Sequence, residues 1–248
     1  MNTAAGLSLC ILCAALVARG AEPEVRVINF ADGKWDKAAW TPLRTQGQDE
    51  PRALAQNADS IGTTEATFRK DDYSKERDNS ILITDTGTVE GQIEVTFTMG
   101  IGFNKTSSPG IVISPVVADG VLEKGISVFV APYAVVAWLQ EADHEKNRMR
   151  PTHMAQISRW TDPEARHVLR CRYSAKQKAV AIQVDDSDIL VFRFLGHKTL
   201  SRFAADINST IGVWGCHGTC AFYEVKILKE GTLPFEVRAK PEKQEKAK

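Results

Sequence analysis

The chain lacks an excess of charge of either sign: 31 Lys and Arg stand against 31 Asp and Glu. Nucleic acid and anionic membrane surfaces are held by concentrated positive charge, so neither is expected as a partner. An apolar run of the roughly 20 residues that a bilayer-spanning helix needs is also missing. The run Leu7–Ala18, broken by Ser8, is well short of that length. It ends in Ala18-Arg19-Gly20-Ala21, a small-x-small pattern that suits signal-peptide cleavage after Gly20. Residues 1–20 therefore read as a signal peptide, with an exported protein and no stable membrane insertion after cleavage.

Cysteine is scarce, with five in all, and Cys10 and Cys13 fall inside the leader. Cys171, Cys216 and Cys220 remain. Export permits disulfides, and Cys216 and Cys220 bracket only His217-Gly218-Thr219. That spacing predicts a bridge across a hairpin end. Cys171 sits among alternating residues and reads as an inert buried thiol.

No amphipathic helical stripe of three turns follows the leader. What is present instead is alternation of period two. Ile93, Val95, Phe97 and Met99 stand against Glu94, Thr96 and Thr98, the pattern of a strand with one face on a core. Further strands are expected at Val25–Phe30, Gly62–Phe68, Ser80–Thr84, Gly110–Val117 and Gly125–Leu139, the last broken at Pro132-Tyr133. Glu141–Pro151 reads as a charged loop. Ala155–Trp160 and Arg166–Tyr173 resume the sheet. Val180–Val184 and Ile189–Leu195 flank Asp185-Asp186-Ser187-Asp188 as a hairpin. Arg202–Asn208 reads as one helical turn. Ile211–Trp214 and Ala221–Leu228 close the domain, with Ala221, Tyr223, Val225 and Ile227 expected inward. Many short strands with turn signals between them indicate an all-β sandwich or barrel. One domain over residues 21–234 is expected, followed by a disordered charged tail over 235–248.

Three stretches carry a resemblance. The first runs from Asp78-Asn79-Ser80 through Gly91-Gln92-Ile93-Glu94-Val95 to Pro109-Gly110-Ile111-Val112. The second is the hairpin Ile182–Phe192. The third is Thr210-Ile211-Gly212-Val213-Trp214 followed by Ala221-Phe222-Tyr223-Glu224-Val225-Lys226-Ile227. Together they resemble an exported bacterial family of concanavalin-A-like, laminin-G-like sandwiches that includes the 3-keto-disaccharide hydrolase domain (DUF1080-like). The resemblance implies a jelly-roll sandwich of two antiparallel sheets, periplasmic or secreted, with a carbohydrate ligand. It extends to glycan-binding and non-catalytic members, so it does not decide between binding and hydrolysis. A structural or protein-binding sandwich is a third reading.

Hydrolysis of a glycoside needs two carboxylates across one linkage, and a Glu-x-Asp-x-x-Glu strand pattern is absent. Glu90 and Glu94 share a face but read as solvated, and Asp185, Asp186 and Asp188 read as turn residues. No nucleophile elbow or phosphate-binding loop is present, and His144, His153, His167, His197 and His217 form no compact zinc set. No cofactor is expected. Sandwiches of this kind can hold a structural calcium, for which Asp32 is the first candidate. Sugar rings pack an apolar face on aromatic side chains, and Tyr133, Trp138, His153, Arg159 and Trp160 fall where the family places its binding side. They are the expected ligand-binding residues, with Trp138 and Trp160 on one concave face.

Overall fold

A computed structural model describes residues 24–64, 79–102, 107–193, 207–216 and 218–236. The leader, the segment after Thr64 up to residue 78, most of the expected turn at Arg202–Asn208, and His217 lie outside the described residues.

Alternating apolar residues make most of the described chain strand, with two single-turn 3-10 helices at Ala31–Gly33 and Lys37–Ala39. In order the strands are β1 (Val25–Asn29), β2 (Thr41–Leu43), β3 (Ala55–Gln56), β4 (Ile61–Thr63), β5 (Asn79–Asp85), β6 (Glu90–Gly102) and β7 (Gly110–Ala118). The series continues with β8 (Val121–Ala131), β9 (Ala134–Asp143), β10 (Arg148–Ser158) and β11 (His167–Ser174). It ends with β12 (Ala179–Val184), β13 (Leu190–Arg193), β14 (Thr210–Cys216) and β15 (Gly218–Leu228). The first sheet runs β13-β12-β11-β6-β15-β4-β3, with β1 also on β15, and the second runs β10-β9-β8-β7-β14-β5-β2. Neighbouring strands are antiparallel. The protein is an all-β jelly-roll sandwich of two antiparallel sheets.

Between the sheets lies one continuous core. From the first sheet come Ile93, Val95, Phe97, Leu169, Ile182 and Phe222, and from the second Ile111, Ile113, Val128, Val135, Leu139 and Val213. Burying each large apolar side chain contributes about 1.5–3 kcal/mol. Phe30, Trp35 and Trp40 pack edge to face beside it, with centroids 5.3–6.3 Å apart. At the last strand the close approach of two backbones requires Gly62, where a Cβ would lie 1.9 Å from the Cys220 carbonyl oxygen.

Two expectations are corrected. In β15, Phe222 pairs with Phe97 but Glu224 pairs with Thr96, so Tyr223 is an extra residue in a bulge. A bulge reverses parity. Cys220 and Phe222 therefore face inward ahead of it, and Val225 and Ile227 after it. Tyr223 is left outside, under the Arg166 guanidinium at 3.7 Å and bonded to Thr98 Oγ1 at 3.2 Å. Residues 141–151 are not a loop: β9 continues to Asp143, and β10 starts at Arg148 after a tight turn.

The Asp185 turn fastens the sandwich edge. Asp185 sits at φ 51° and accepts from the Val168 amide at 2.9 Å, from His167 Nδ1 at 2.9 Å and from Arg159 Nη2 at 3.2 Å. At the C-terminal end the packing runs to Phe235, which is 5% exposed beneath Arg172.

Replacing Phe222, fully buried at the centre of the core, by Ala is expected to cost about 3–5 kcal/mol. Equilibrium unfolding in urea measures this; a loss within experimental error of zero would contradict the burial of that ring.

Candidate functional site

Two hairpins of the second sheet bend over its outer face. β7 and β8 shift register between Ile113 and Val116 and again between Val116 and Val117, with Ser114 at φ 51°. β9 and β10 shift between Pro151 and His153. Such bulges bend a strand and deepen its twist, and Pro151 is tolerated because β10 is an edge strand. The bent hairpins meet the segment that follows β2. Arg44 donates its amide to Gly120 O at 3.1 Å and accepts from the Leu122 amide at 2.9 Å. Gln46 Nε2 reaches Asn147 Oδ1 at 2.8 Å, and Gln48 Nε2 bonds Asn79 O at 2.8 Å. Residues 44–48 thus form a strap from the β2 edge to the tips of both hairpins.

Under the strap lies a second apolar cluster. Leu43, Ile81, Val112, Leu122, Phe129, Met149 and Trp214 are buried in it, with Trp138 packed alongside. A cleft of about 200 Å³ remains open. Its floor is Phe129, Trp214, Cys216 and Asn79, and its wall is Trp138, Gln140, Met149 and Pro151. The Phe129 ring stands 5.1 Å from Trp214 and 5.5 Å from Trp138, edge to face in both cases. Gly110 lies between the strands bearing Phe129 and Trp214, and a Cβ there would meet Val128 O at 2.1 Å. Trp214 Nε1 donates to Asn79 Oδ1 at 2.8 Å, which fixes both residues.

Not every polar group here has a partner. Six buried side-chain polar atoms among the described residues make no hydrogen bond, and three of them are Ser127 Oγ, Trp138 Nε1 and Gln140 Oε1. All three sit on this outer face: Ser127 is directly opposite Trp138, and Gln140 is two residues along β9. Ser127 is fully buried and Gln140 is 4% exposed. Leaving such an atom unpaired costs about 1–3 kcal/mol. No Asp, Glu, His, Lys or Arg occurs among the described residues that line the cleft.

The expected ligand residues do not form one patch. Trp138 is in the cleft, opposite Met154 on β10. Trp160 lies beyond the end of β10, about 20 Å further along at roughly 3.3 Å per residue. There it packs on Tyr133 at 5.1 Å with the rings tilted by 51°. Both are exposed, Tyr133 by 73% and Trp160 by 59%. Arg159 is beside this pair but is held by Asp185 at 3.2 Å. The side chain of His153 lies outside the described residues. Ser127, Gln140, Phe129 and Trp214 were not singled out from sequence. Ser127 was the available signal: a lone polar residue in the run Ile126–Ala131, which is otherwise apolar on both faces.

The remaining candidates have structural occupations. Glu90 accepts from the Lys176 amide at 2.8 Å and Glu94 from Gln92 Nε2 at 2.8 Å, both on the other sheet. Asp32 faces Lys34 Nζ at 3.5 Å, an ammonium that opposes a calcium ion there. Among the described residues no group of three or more His, Cys, Asp and Glu could hold a metal. No helix among them is long and apolar enough to cross a membrane.

The expected disulfide is corrected: Cys171, Cys216 and Cys220 form no disulfide among the described residues. Cys216 ends β14 in the second sheet and points outward into the cleft, whereas Cys220 is on β15 in the first sheet. Cys220 Sγ turns inward, 3.0 Å from where a Gly215 Cβ would stand and 3.4 Å from Thr63 Oγ1. Side chains that point apart do not bridge, however short the loop. Burial pushes the Cys171 thiol pKa well above its ordinary value, so it stays protonated and non-nucleophilic.

No family model matches the chain, and no curated protein matches it. Solved structures do. One, described with endo-acting O-glycanases of the human gut microbiota that initiate mucin breakdown, is 11% identical with a TM-score of 0.54, covering 83% of this chain and 99% of that one. SCLam, a non-specific endo-β-1,3(4)-glucanase from family GH16, is 13% identical with a TM-score of 0.52, covering 85% and 95%. The potassium-bound carbohydrate recognition domain of Emp46p is 12% identical with a TM-score of 0.50, covering 79% and 90%. At these identities the likeness establishes the concanavalin-A-like fold.

Unfolding the protein without reductant and alkylating it is expected to label Cys171, Cys216 and Cys220 alike. Mass spectrometry of the peptides reads this directly; protection of Cys216 and Cys220 together would restore the bridge.

Proposed function

We propose that the protein is an exported bacterial carbohydrate-binding sandwich that does not hydrolyse its ligand, a non-catalytic relative of hydrolases of this fold. Its chief support is the cleft of the second sheet, where aromatic rings stand beside the unpartnered Trp138 Nε1 and Gln140 Oε1. A sugar presents both chemistries at once. Its ring face packs on an aromatic side chain, and each hydroxyl both donates and accepts. A hydroxyl donating to Gln140 Oε1 and another accepting from Trp138 Nε1 would satisfy atoms that the fold leaves bare. Hydrolysis would need a general acid and a second carboxylate across the scissile bond, and the described lining holds neither. Solved structures of the same fold include a carbohydrate recognition domain and a glucanase, which suits either reading of the ligand class. Tyr133 and Trp160, with Arg159 beside them, are proposed as a separate contact for longer glycans, because their rings are exposed and already held together.

The test is a panel of plant, algal and bacterial glycans, with 3-keto-disaccharides, incubated with the full chain and read for retained ligand and released sugar. Retention without release is expected. Release above a heat-denatured control would make the protein a hydrolase, and neither signal would leave a structural or protein-binding sandwich.

Trp138→Ala is expected to weaken retention of every bound glycan by tenfold or more. Trp160→Ala is expected to weaken only the longer ones, with both variants folded by circular dichroism. Equal affinity of both variants and wild type would remove these residues from the site.

A further inference from the structure

We infer that the cleft of the second sheet takes a single uncharged sugar ring at the end of a glycan, not a segment from within a chain. This rests on the carbohydrate reading above and makes it specific. A site for the interior of a polymer has to run open across the sheet, so that the chain enters on one side and leaves on the other. Here the outer face is closed at the strap end instead. Leu122, Leu43 and Met149 fill it beside Val112 and Ile81. The strap then ties the β2 edge to both hairpin tips through Arg44 with Gly120 and Gln46 with Asn147.

What remains is about 200 Å³, below the roughly 300–1,000 Å³ of ordinary small-molecule sites. A space of that size suits one ring better than two in succession. Its polar atoms are equally restrictive. Gln140 Oε1 and Trp138 Nε1 supply one acceptor and one donor from neighbouring alternate positions of the same strand. Both are neutral, and no charged side chain lines the cleft among the described residues. A uronate or an amino sugar would bury its charge without a counter-ion, at a cost far above that of a hydroxyl. The guest is therefore a neutral ring presenting hydroxyls on one edge and an apolar face to Trp138.

The test titrates the full chain with D-glucose, D-galactose, D-mannose and N-acetyl-D-glucosamine, each beside its linear oligosaccharides up to the hexamer. Cyclodextrins serve as glucans without ends and D-glucuronate as the charged ring. One of the neutral monosaccharides is expected to bind within about tenfold of its own disaccharide and trisaccharide, which are too short to reach Trp160, and cyclodextrins and glucuronate are expected not to bind. In the Trp160→Ala variant the same is expected up to the hexamer; affinity that climbs more than tenfold with length in that variant, or capture of a cyclodextrin, overturns end recognition while leaving a carbohydrate-binding protein. No binding of any sugar overturns both.

Gln140→Leu is expected to lower monosaccharide affinity at least tenfold while the melting temperature holds or rises, because it removes an unpaired buried acceptor. Trp138→Phe keeps one aromatic ring and removes the donor together with the five-membered ring that bears it, and is expected to lose affinity likewise. A fall of affinity only in parallel with melting temperature would make both residues structural and overturn their part in the site.

Discussion

β7–β8 and β9–β10 each carry an irregularity near mid-length, and the bend it introduces governs everything on the outer face of the second sheet. A regularly paired sheet of seven strands would keep its β2 and β10 edges far apart, at about 4.8 Å per strand. Because both hairpins turn over the face, a few residues after Leu43 suffice to reach Gly120 and Asn147. That bend brings Leu122 and Met149 onto Trp214 and Leu43, giving the sheet apolar packing on both sides. The cleft is what this second cluster leaves unfilled.

The same bend explains why the polar atoms of the cleft are bare. Trp138 and Gln140 line a cleft narrowed by Phe129, Met149 and Trp214, and Ser127 is buried opposite Trp138 on the neighbouring strand. Other buried polar groups nearby and in the first sheet are paired: Asn79 is held by Trp214 and Gln48, and Gln92 Oε1 accepts from the Thr232 and Leu233 amides at 2.9 and 3.1 Å. Against that background three adjacent unpaired atoms are a local cost of a few kcal/mol. A ligand that pairs them recovers that cost on binding. Carboxylates, by contrast, are spent on structure, with Asp185 clamping His167 and Arg159 and Glu90 capping the Lys176 turn.

Much of the architecture was legible in the sequence because strand periodicity is local. Ile93, Val95, Phe97 and Met99 face the core as their alternation requires, and Asp185 occupies the turn its residue type favours. Parity failed at Tyr223, where a bulge set by pairing with β6 inserts one residue. Reading 141–151 as a loop failed because charges on an edge hairpin look the same as charges in a loop. The disulfide between Cys216 and Cys220 failed because loop length constrains the distance between two residues but not the sheet to which each belongs.

By itself the sequence determined most of the strands and, away from the bulge at Tyr223, which of their faces are apolar. Those properties depend on neighbours one or two positions away. Only the tertiary structure decided that Trp138 stands with Gln140 and Trp214 while Trp160 stands with Tyr133. It alone left Ser127, Trp138 and Gln140 unpaired together. Register, bulges and the curl of the sheet arise from pairing between segments distant in the chain, and the cleft exists only once those pairings are made.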